Sequence, residues 1–291
     1  MLDSEIRELV DVRVHRPHAV AELAGRRRRP GSLLGEHGKL MVIAADHAAR
    51  GALRAGADSL AMASRSEMLD RLCVALSRPG VNGVLGTADV LDDLLLLGVL
   101  DDKVVIGSMN RGGLAGTTFE IDDRFTALDA ASIAAANYEG GKMLLRIDPA
   151  DDKTAATLES CSRAVSQLAE HGLMAMVEPF ITHRVDGRVK VDFTPDAMIR
   201  AMTVTAGLGT SSAYTWLKVP VVDDMARVMS ATTLPALILG GEVAEDPEAA
   251  IVSWGKALAL PTVRGLVIGR SLLYPADGDV AGAVDRAVSL L

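Results

Sequence analysis

Ser212-Ala213-Tyr214-Thr215-Trp216-Leu217-Lys218-Val219-Pro220-Val221-Val222 reads as a buried strand with one ammonium in its middle. Near-continuous apolar strands of this kind belong to parallel sheets covered on both faces. An ammonium inside such a strand is costly unless it is paired or sheds its proton. A lysine that sheds its proton near neutral pH is a nucleophile and can condense with a carbonyl to form a Schiff base. The alternative for Lys218 is a strand-end lysine whose stem is buried and whose head snorkels to solvent.

Seven more short apolar runs recur, each ending in glycine, polar or charged residues. In chain order the eight are Leu40–Asp46, Val81–Gly86, Val104–Asn110, Gly141–Asp148, Leu173–Glu178, Tyr214–Val219, Ala236–Gly240 and Gly265–Arg270. Helical patterns lie between most of them, over Ser66–Leu76, Thr154–His171, Pro195–Gly207 and Pro247–Ala259. Several start with Asp, Thr or Pro and end near Gly, as capped helices do. Strand–helix alternation predicts a parallel sheet, and eight such units predict a (β/α)8 barrel. The competing doubly wound sheet would place a Gly-rich loop after its first strand. Here that strand runs into Asp46-His47-Ala48-Ala49-Arg50-Gly51, which lacks the spacing. The fold class is therefore α/β, a single (β/α)8 TIM barrel over residues 40–291 with a short N-terminal extension over 1–39. The extension is expected to cap the barrel bottom or pack beside it. Arg26-Arg27-Arg28-Arg29 within it reads as a solvated loop, with a phosphate or nucleic-acid patch as the alternative.

Composition narrows the function. The 291 residues are 49% hydrophobic with a formal net charge of -8, which argues against nucleic-acid or anionic-membrane partners. Runs such as Leu94–Leu97 are too short to span a bilayer. Cys73 and Cys161 have no metal-ligand spacing and do not indicate a disulfide framework. Residues 1–8 lack the pattern of a signal peptide, so a cytoplasmic location is expected.

Side chains alternate between barrel interior and helix layer. With Lys218 inward, Trp216 and Tyr214 share its face. Lys142, Leu144, Arg146 and Asp148 form one such set. Met174, Met176 and Glu178 form another, Val42, Ala44 and Asp46 a third, and Ser108 with Asn110 a fourth. Barrel active sites collect at C-terminal strand ends, where Asp46, Asn110, Asp148, Glu178, Lys218 and Arg270 fall. Lys142 beside Lys218 would favour a neutral amine by like-charge repulsion, and Glu178 or Asp46 would move protons. The alternative is a structural ion-pair network filling the barrel centre. Gly240-Gly241-Glu242 and Gly269-Arg270-Ser271 follow the seventh and eighth strands, where such barrels often bind phosphate. Glycines admit backbone N–H groups and an arginine adds charge, although tight βα turns favour glycine too.

These residues resemble a family over roughly 38–291. The chain is similar to class I (Schiff-base) aldolases of the deoxyribose-phosphate, archaeal-type fructose-bisphosphate and tagatose-bisphosphate group. Ala44-Ala45-Asp46-His47 resembles its first-strand motif. Gly141-Lys142 through Asp148-Pro149 resembles the tagatose-type fourth strand, and Val177-Glu178-Pro179 its fifth. Leu217-Lys218-Val219-Pro220 resembles the imine-forming motif, and Leu239-Gly240-Gly241 with Ile268-Gly269-Arg270 the phosphate grip. The resemblance implies Lys218 as nucleophile, Glu178 as proton shuttle, and Lys142 and Asp46 as catalytic partners. Gly240, Gly241, Gly269 and Arg270 would hold phosphate, with Asn110 and Arg146 also assigned to substrate. Two departures stand out. Glu178-Pro179-Phe180 occupies the place of a tyrosine acid in the archaeal fructose-bisphosphate type, and Arg146 replaces an aromatic of the tagatose type.

The resemblance implies retro-aldol cleavage of a phosphorylated keto sugar or keto acid, without metal or organic cofactor, in carbohydrate catabolism, with inositol catabolism as the associated setting. A homo-oligomer is expected. The alternatives are a deoxyribose-phosphate aldolase or transaldolase, a metal-dependent lyase using Asp46, His47 and His183, and a non-catalytic sugar-phosphate-binding barrel.

Overall fold

The computed structural model describes residues 3–35, 37–243 and 246–291. Met1, Leu2 and Glu36 of the expected extension lie outside them. Among the described residues there are nine strands. They are β1 (Leu40–Ala44), β2 (Gly83–Gly86), β3 (Val104–Ser108), β4 (Gly140–Ile147), β5 (Met174–Val185), β6 (Arg188–Val191), β7 (Thr215–Val219), β8 (Ala236–Leu239) and β9 (Val263–Ile268). Helices lie between consecutive strands in every case but β5 and β6. Eight of them, all but β6, form a closed parallel ring in the order β1-β2-β3-β4-β5-β7-β8-β9, with β9 pairing back onto β1. The protein is a (β/α)8 TIM barrel, and each predicted apolar run supplies one barrel strand.

The helices between them bury apolar stripes against the outer face. Lys153–Glu170 presents Cys161, Ala164, Val165 and Leu168 to the core. Pro195–Ala206 is capped by the Thr194 side chain and begins with proline, where a missing N–H costs nothing.

Alternation along the strands divides the core in two. Met41, Ile43, Val105, Met143, Leu145, Val177, Leu217, Val219 and Ile238 pack outward against helices. Leu40, Val42, Leu85, Val104, Ile106, Met174, Met176, Leu237 and Val267 form a separate inner plug. Leu33 and Leu34 of the extension pack against that plug, joined by Trp216. The lower barrel is thus filled with hydrocarbon, and inward charges are confined to the upper half. Tyr214 does not join the inward face of Lys218. It precedes β7 and is exposed, because the strand starts one residue later than the apolar run suggests. At the seam, Gly265 has φ +145°, and a Cβ there would lie 1.9 Å from the Leu40 carbonyl oxygen.

The arginine run is not a solvated loop throughout. Arg27 is buried, and its guanidinium donates to the carbonyls of Lys103 (2.8 Å), Leu100 and Asn137 and pairs with Glu139 at 2.8 Å. Glu139 also accepts from the Val105 N–H (2.7 Å) and pairs with Arg29 at 2.9 Å. Arg26, Arg28 and Arg29 stay exposed, Arg28 paired with Asp101 and Asp102. The run pins the extension because Glu139, at the bottom of β4, is buried and needs a cation. Arg27→Leu strips the buried carboxylate of its buried partner, so a loss of about 3–5 kcal/mol is expected in urea unfolding. Arg28→Leu should leave the midpoint where it is.

Candidate active site

Four inward charges meet above the plug. Asp46 closes β1, Lys142 lies on β4, Glu178 on β5 and Lys218 on β7. Glu178 bridges the two lysines, with Lys142 Nζ at 2.5 Å and Lys218 Nζ at 3.1 Å. Asp46 takes Lys142 Nζ at 3.3 Å and Arg111 Nη1 at 3.1 Å, and accepts from Ser108 Oγ at 3.1 Å. Lys142 and Lys218 are 2% and 3% exposed, so neither head snorkels into bulk water.

Burial alone would raise both carboxyls, but the surrounding cations win. Lys142 and Lys218 hold Glu178 far below the usual carboxylate range, and Lys142, Arg111 and Lys218 do the same for Asp46. Lys142 moves the other way. Burial brings its ammonium down to about 8, against the pull of Asp46 and Glu178. The unfolded chain keeps that proton to about 10.4. Between about pH 8 and 10.4 the unfolded state therefore binds more protons, and this group makes stability rise with pH. Its favourable share is complete above that window and gone below it. Lys142→Met should lose this rise, worth a few kcal/mol at about 1.4 kcal/mol per unit, in unfolding curves taken across the window.

The loops after β8 and β9 lie at the rim. Gly240, Gly241, Gly269 and Arg270 line one cavity of about 500 Å³ together with Asp46, His47, Lys142, Glu178 and Lys218. A Cβ on Gly269 would lie 2.3 Å from the Ala44 carbonyl oxygen and 2.8 Å from His47 Cε1, so only glycine lets this turn sit against β1. Arg270 is loosely held, with contacts of 3.4 Å to the Arg54 and Gly241 carbonyls and to Glu242. Its Nε and the Nδ1 of His47 have no partner among the described residues. Burial, with Arg270, Lys218 and Lys142 adding like charge, pushes His47 down to about 3, so its imidazole is neutral at pH 7.

Two assigned substrate residues sit differently from expectation. Asn110 does not line the cavity. Its amide donates to the Leu144 carbonyl (2.6 Å) and accepts from the Leu144 N–H (2.7 Å), so β4's backbone uses both ends. Arg146 does reach the cavity but is already paired with Glu120 (2.5 Å) and Asp123 (2.8 Å) of the loop after β3. Asp148 accepts from the Ala150 N–H and is not among the cavity-lining residues.

Strand periodicity missed part of the wall. Arg50, Arg111 and Glu120 come from loops, and Val189, Val191 and Phe193 from a hairpin. β5 overshoots the barrel and turns back into antiparallel β6, with Val185 opposite Arg188. Asp186 and Gly187 turn it, at φ +51° and +76°. Asp-Gly is the signature of a two-residue hairpin turn and was readable in the sequence. His183 stands exposed on this hairpin and does not line the cavity with Asp46 and His47. No group of three His, Cys, Asp or Glu side chains among the described residues is arranged to hold a metal ion. No helix among them is long and apolar enough to cross a membrane.

A closed eight-stranded barrel with lysines and carboxylates at its C-terminal mouth has the aldolase-like fold. The chain belongs to the Cgl0159-like family, whose model matches residues 38–288. It is similar to the crystal structure of Cgl0159 from Corynebacterium glutamicum, at 51% identity over 100% of this chain and 97% of that one, with a TM-score of 0.97. A Schiff-base-forming fructose-1,6-bisphosphate aldolase matches at 17% identity, over 93% and 99% of the two chains, with a TM-score of 0.66. An archaeal fructose-1,6-bisphosphate aldolase, with its catalytic lysine covalently bound to the carbinolamine intermediate, matches at 17%, over 93% and 98%, with a TM-score of 0.65. At these identities the last two likenesses are of fold.

Proposed function

We propose that this protein is a class I aldolase that cleaves a phosphorylated keto sugar or keto acid through an imine on Lys218. The observation that carries the reading is a buried amine 3.1 Å from an ionised glutamate, on the floor of a cavity rimmed by glycine and arginine loops. Glu178 accepts the proton that Lys218 must lose, and the neutral amine attacks the substrate carbonyl. Lys142 donates a proton to the departing carbinolamine hydroxyl, which leaves as water, and takes back the proton held by Glu178, 2.5 Å away, so that Glu178 is a carboxylate again. The hydroxyl on the carbon beyond the scissile bond then gives its proton to Glu178. The C–C electron pair moves to the iminium nitrogen, releasing an aldehyde and leaving an enamine. Glu178 returns its proton to the enamine carbon, and hydrolysis of the resulting iminium by one water gives the ketone product and the Lys218 ammonium. No electrons are gained or lost overall. Asp46 holds Lys142 and Arg111 in place. Gly240, Gly241, Gly269 and Arg270 grip the phosphate, helped by the neutral His47.

Borohydride reduction during incubation with a panel of ketose phosphates tests this. A substrate-sized mass increment on the peptide containing Lys218 is expected. An adduct on Lys142 would move the nucleophile, and no adduct with any ketose phosphate would refute the reading.

A further inference from the structure

The cavity wall opposite the glycine loops carries more positive charge than the chemistry above uses. β3 and β4 stand four places around the ring from β8 and β9, so their loops face each other across the mouth. Arg111 follows β3, Arg146 ends β4, and Arg50 reaches in from the loop after β1. All three line the cavity.

Their partners leave donors over. Arg111 uses Nη1 on Asp46 and Nε on the Asn110 carbonyl, while Nη2 has no partner among the described residues. Arg146 uses Nη1 on Glu120 and Nη2 on Asp123, while Nε has none. These two residues are 6% and 3% exposed. A buried donor left unsatisfied costs about 1–3 kcal/mol, and such groups call for a role or a ligand. Arg50 is the more open member, 3.4 Å from Glu120. Burial lowers it, and crowding by Arg146 and Arg111 lowers it further.

Holding the loop after β3 onto β4 accounts for Arg146 with Glu120 and Asp123. It does not account for Arg50 or for the spare nitrogen of Arg111. Across the whole network Lys142, Lys218, Arg50, Arg111 and Arg146 oppose Asp46, Glu120, Asp123 and Glu178, which leaves one positive charge uncompensated.

We propose that Arg50, Arg111 and Arg146 form a second anion subsite that takes a terminal carboxylate at the end of the substrate remote from its phosphate. The substrate is then a phosphorylated keto acid and not a keto sugar with a neutral end. One residual charge and planar donors suit a carboxylate, whereas a second phosphate would bring close to two negative charges. This assignment rests on the proposed phosphate grip and imine at Lys218.

Probes without a carbonyl separate the two. Gluconate 6-phosphate, glucitol 6-phosphate and glucitol 1,6-bisphosphate cannot form an imine, and calorimetry gives their affinities for the wild-type protein. The carboxylate is expected to bind at least about tenfold tighter than the hydroxymethyl analogue, the scale of one charge-assisted bond. In Arg50→Gln that ratio should fall to within about threefold while the affinity for glucitol 6-phosphate holds. Equal binding of carboxylate and hydroxymethyl ends would overturn the subsite, as would an Arg50→Gln variant that melts earlier yet keeps the ratio. Tightest binding of the bisphosphate would overturn the carboxylate assignment. Trapping with dihydroxyacetone phosphate, which has no carboxylate end, reports on Lys218 alone. Failure there with the carboxylate preference intact would remove the aldolase reading and leave the subsite standing.

Discussion

Lys218→Met is expected to give no borohydride-stable adduct and no retro-aldol turnover above background. Methionine nearly matches the lysine stem in length and shape but has no nucleophile, and no other group supplies the electron sink that imine formation provides. The substitution should be tolerated structurally. Lys218 is the outer cation of the cluster, and its removal leaves Glu178 bound to Lys142 at 2.5 Å and Lys142 bound to Asp46 at 3.3 Å. The apolar chain would rest above Trp216, next to Leu237, with which Lys218 is in register. Folding is checked by circular dichroism, and activity by coupled detection of the released aldehyde. Turnover within tenfold of wild type would remove Lys218 from the chemistry.

Glu178→Gln should separate the steps. Glutamine keeps the shape between Lys142 and Lys218 but cannot take a proton. Adduct formation is expected to persist, more slowly, while cleavage falls by about 10²–10⁴-fold, the range for a positioned general acid–base. Two ammoniums then share Asp46 as their nearest carboxylate, so the variant should also unfold at lower denaturant. Rapid-quench trapping distinguishes accumulation of the imine from failure to form it. If kcat were unchanged, Glu178 would be a structural counter-ion.

The barrel was legible because its strands are buried on both faces. That produces near-continuous apolar runs, and eight of them at regular spacing admit few arrangements. The lysine and carboxylate ends were legible for the same reason, since a charge inside such a run has to point inward at a strand end. Loops offer no such contrast. Arg50, Arg111 and Glu120 sit in polar stretches where charged residues are ordinary, so periodicity cannot single them out. Asn110 looked like a substrate contact because it is polar and inward, yet backbone groups of β4 claimed it. Arg27 looked solvated in a run of four arginines, although Glu139 waited at the bottom of β4.

The sequence by itself determined the ring of eight strands and the set of charges at its mouth, because solvent exclusion from a parallel sheet is written in residue polarity one segment at a time. Only the tertiary structure decided that Glu178 lies between two lysines, that Arg50 and Arg111 share a wall with Arg146 of β4, and that the loops after β8 and β9 face them. The contacts that build this mouth join residues 26 to 216 positions apart in the chain. Closure of the barrel, and not local propensity, brings them within hydrogen-bonding reach.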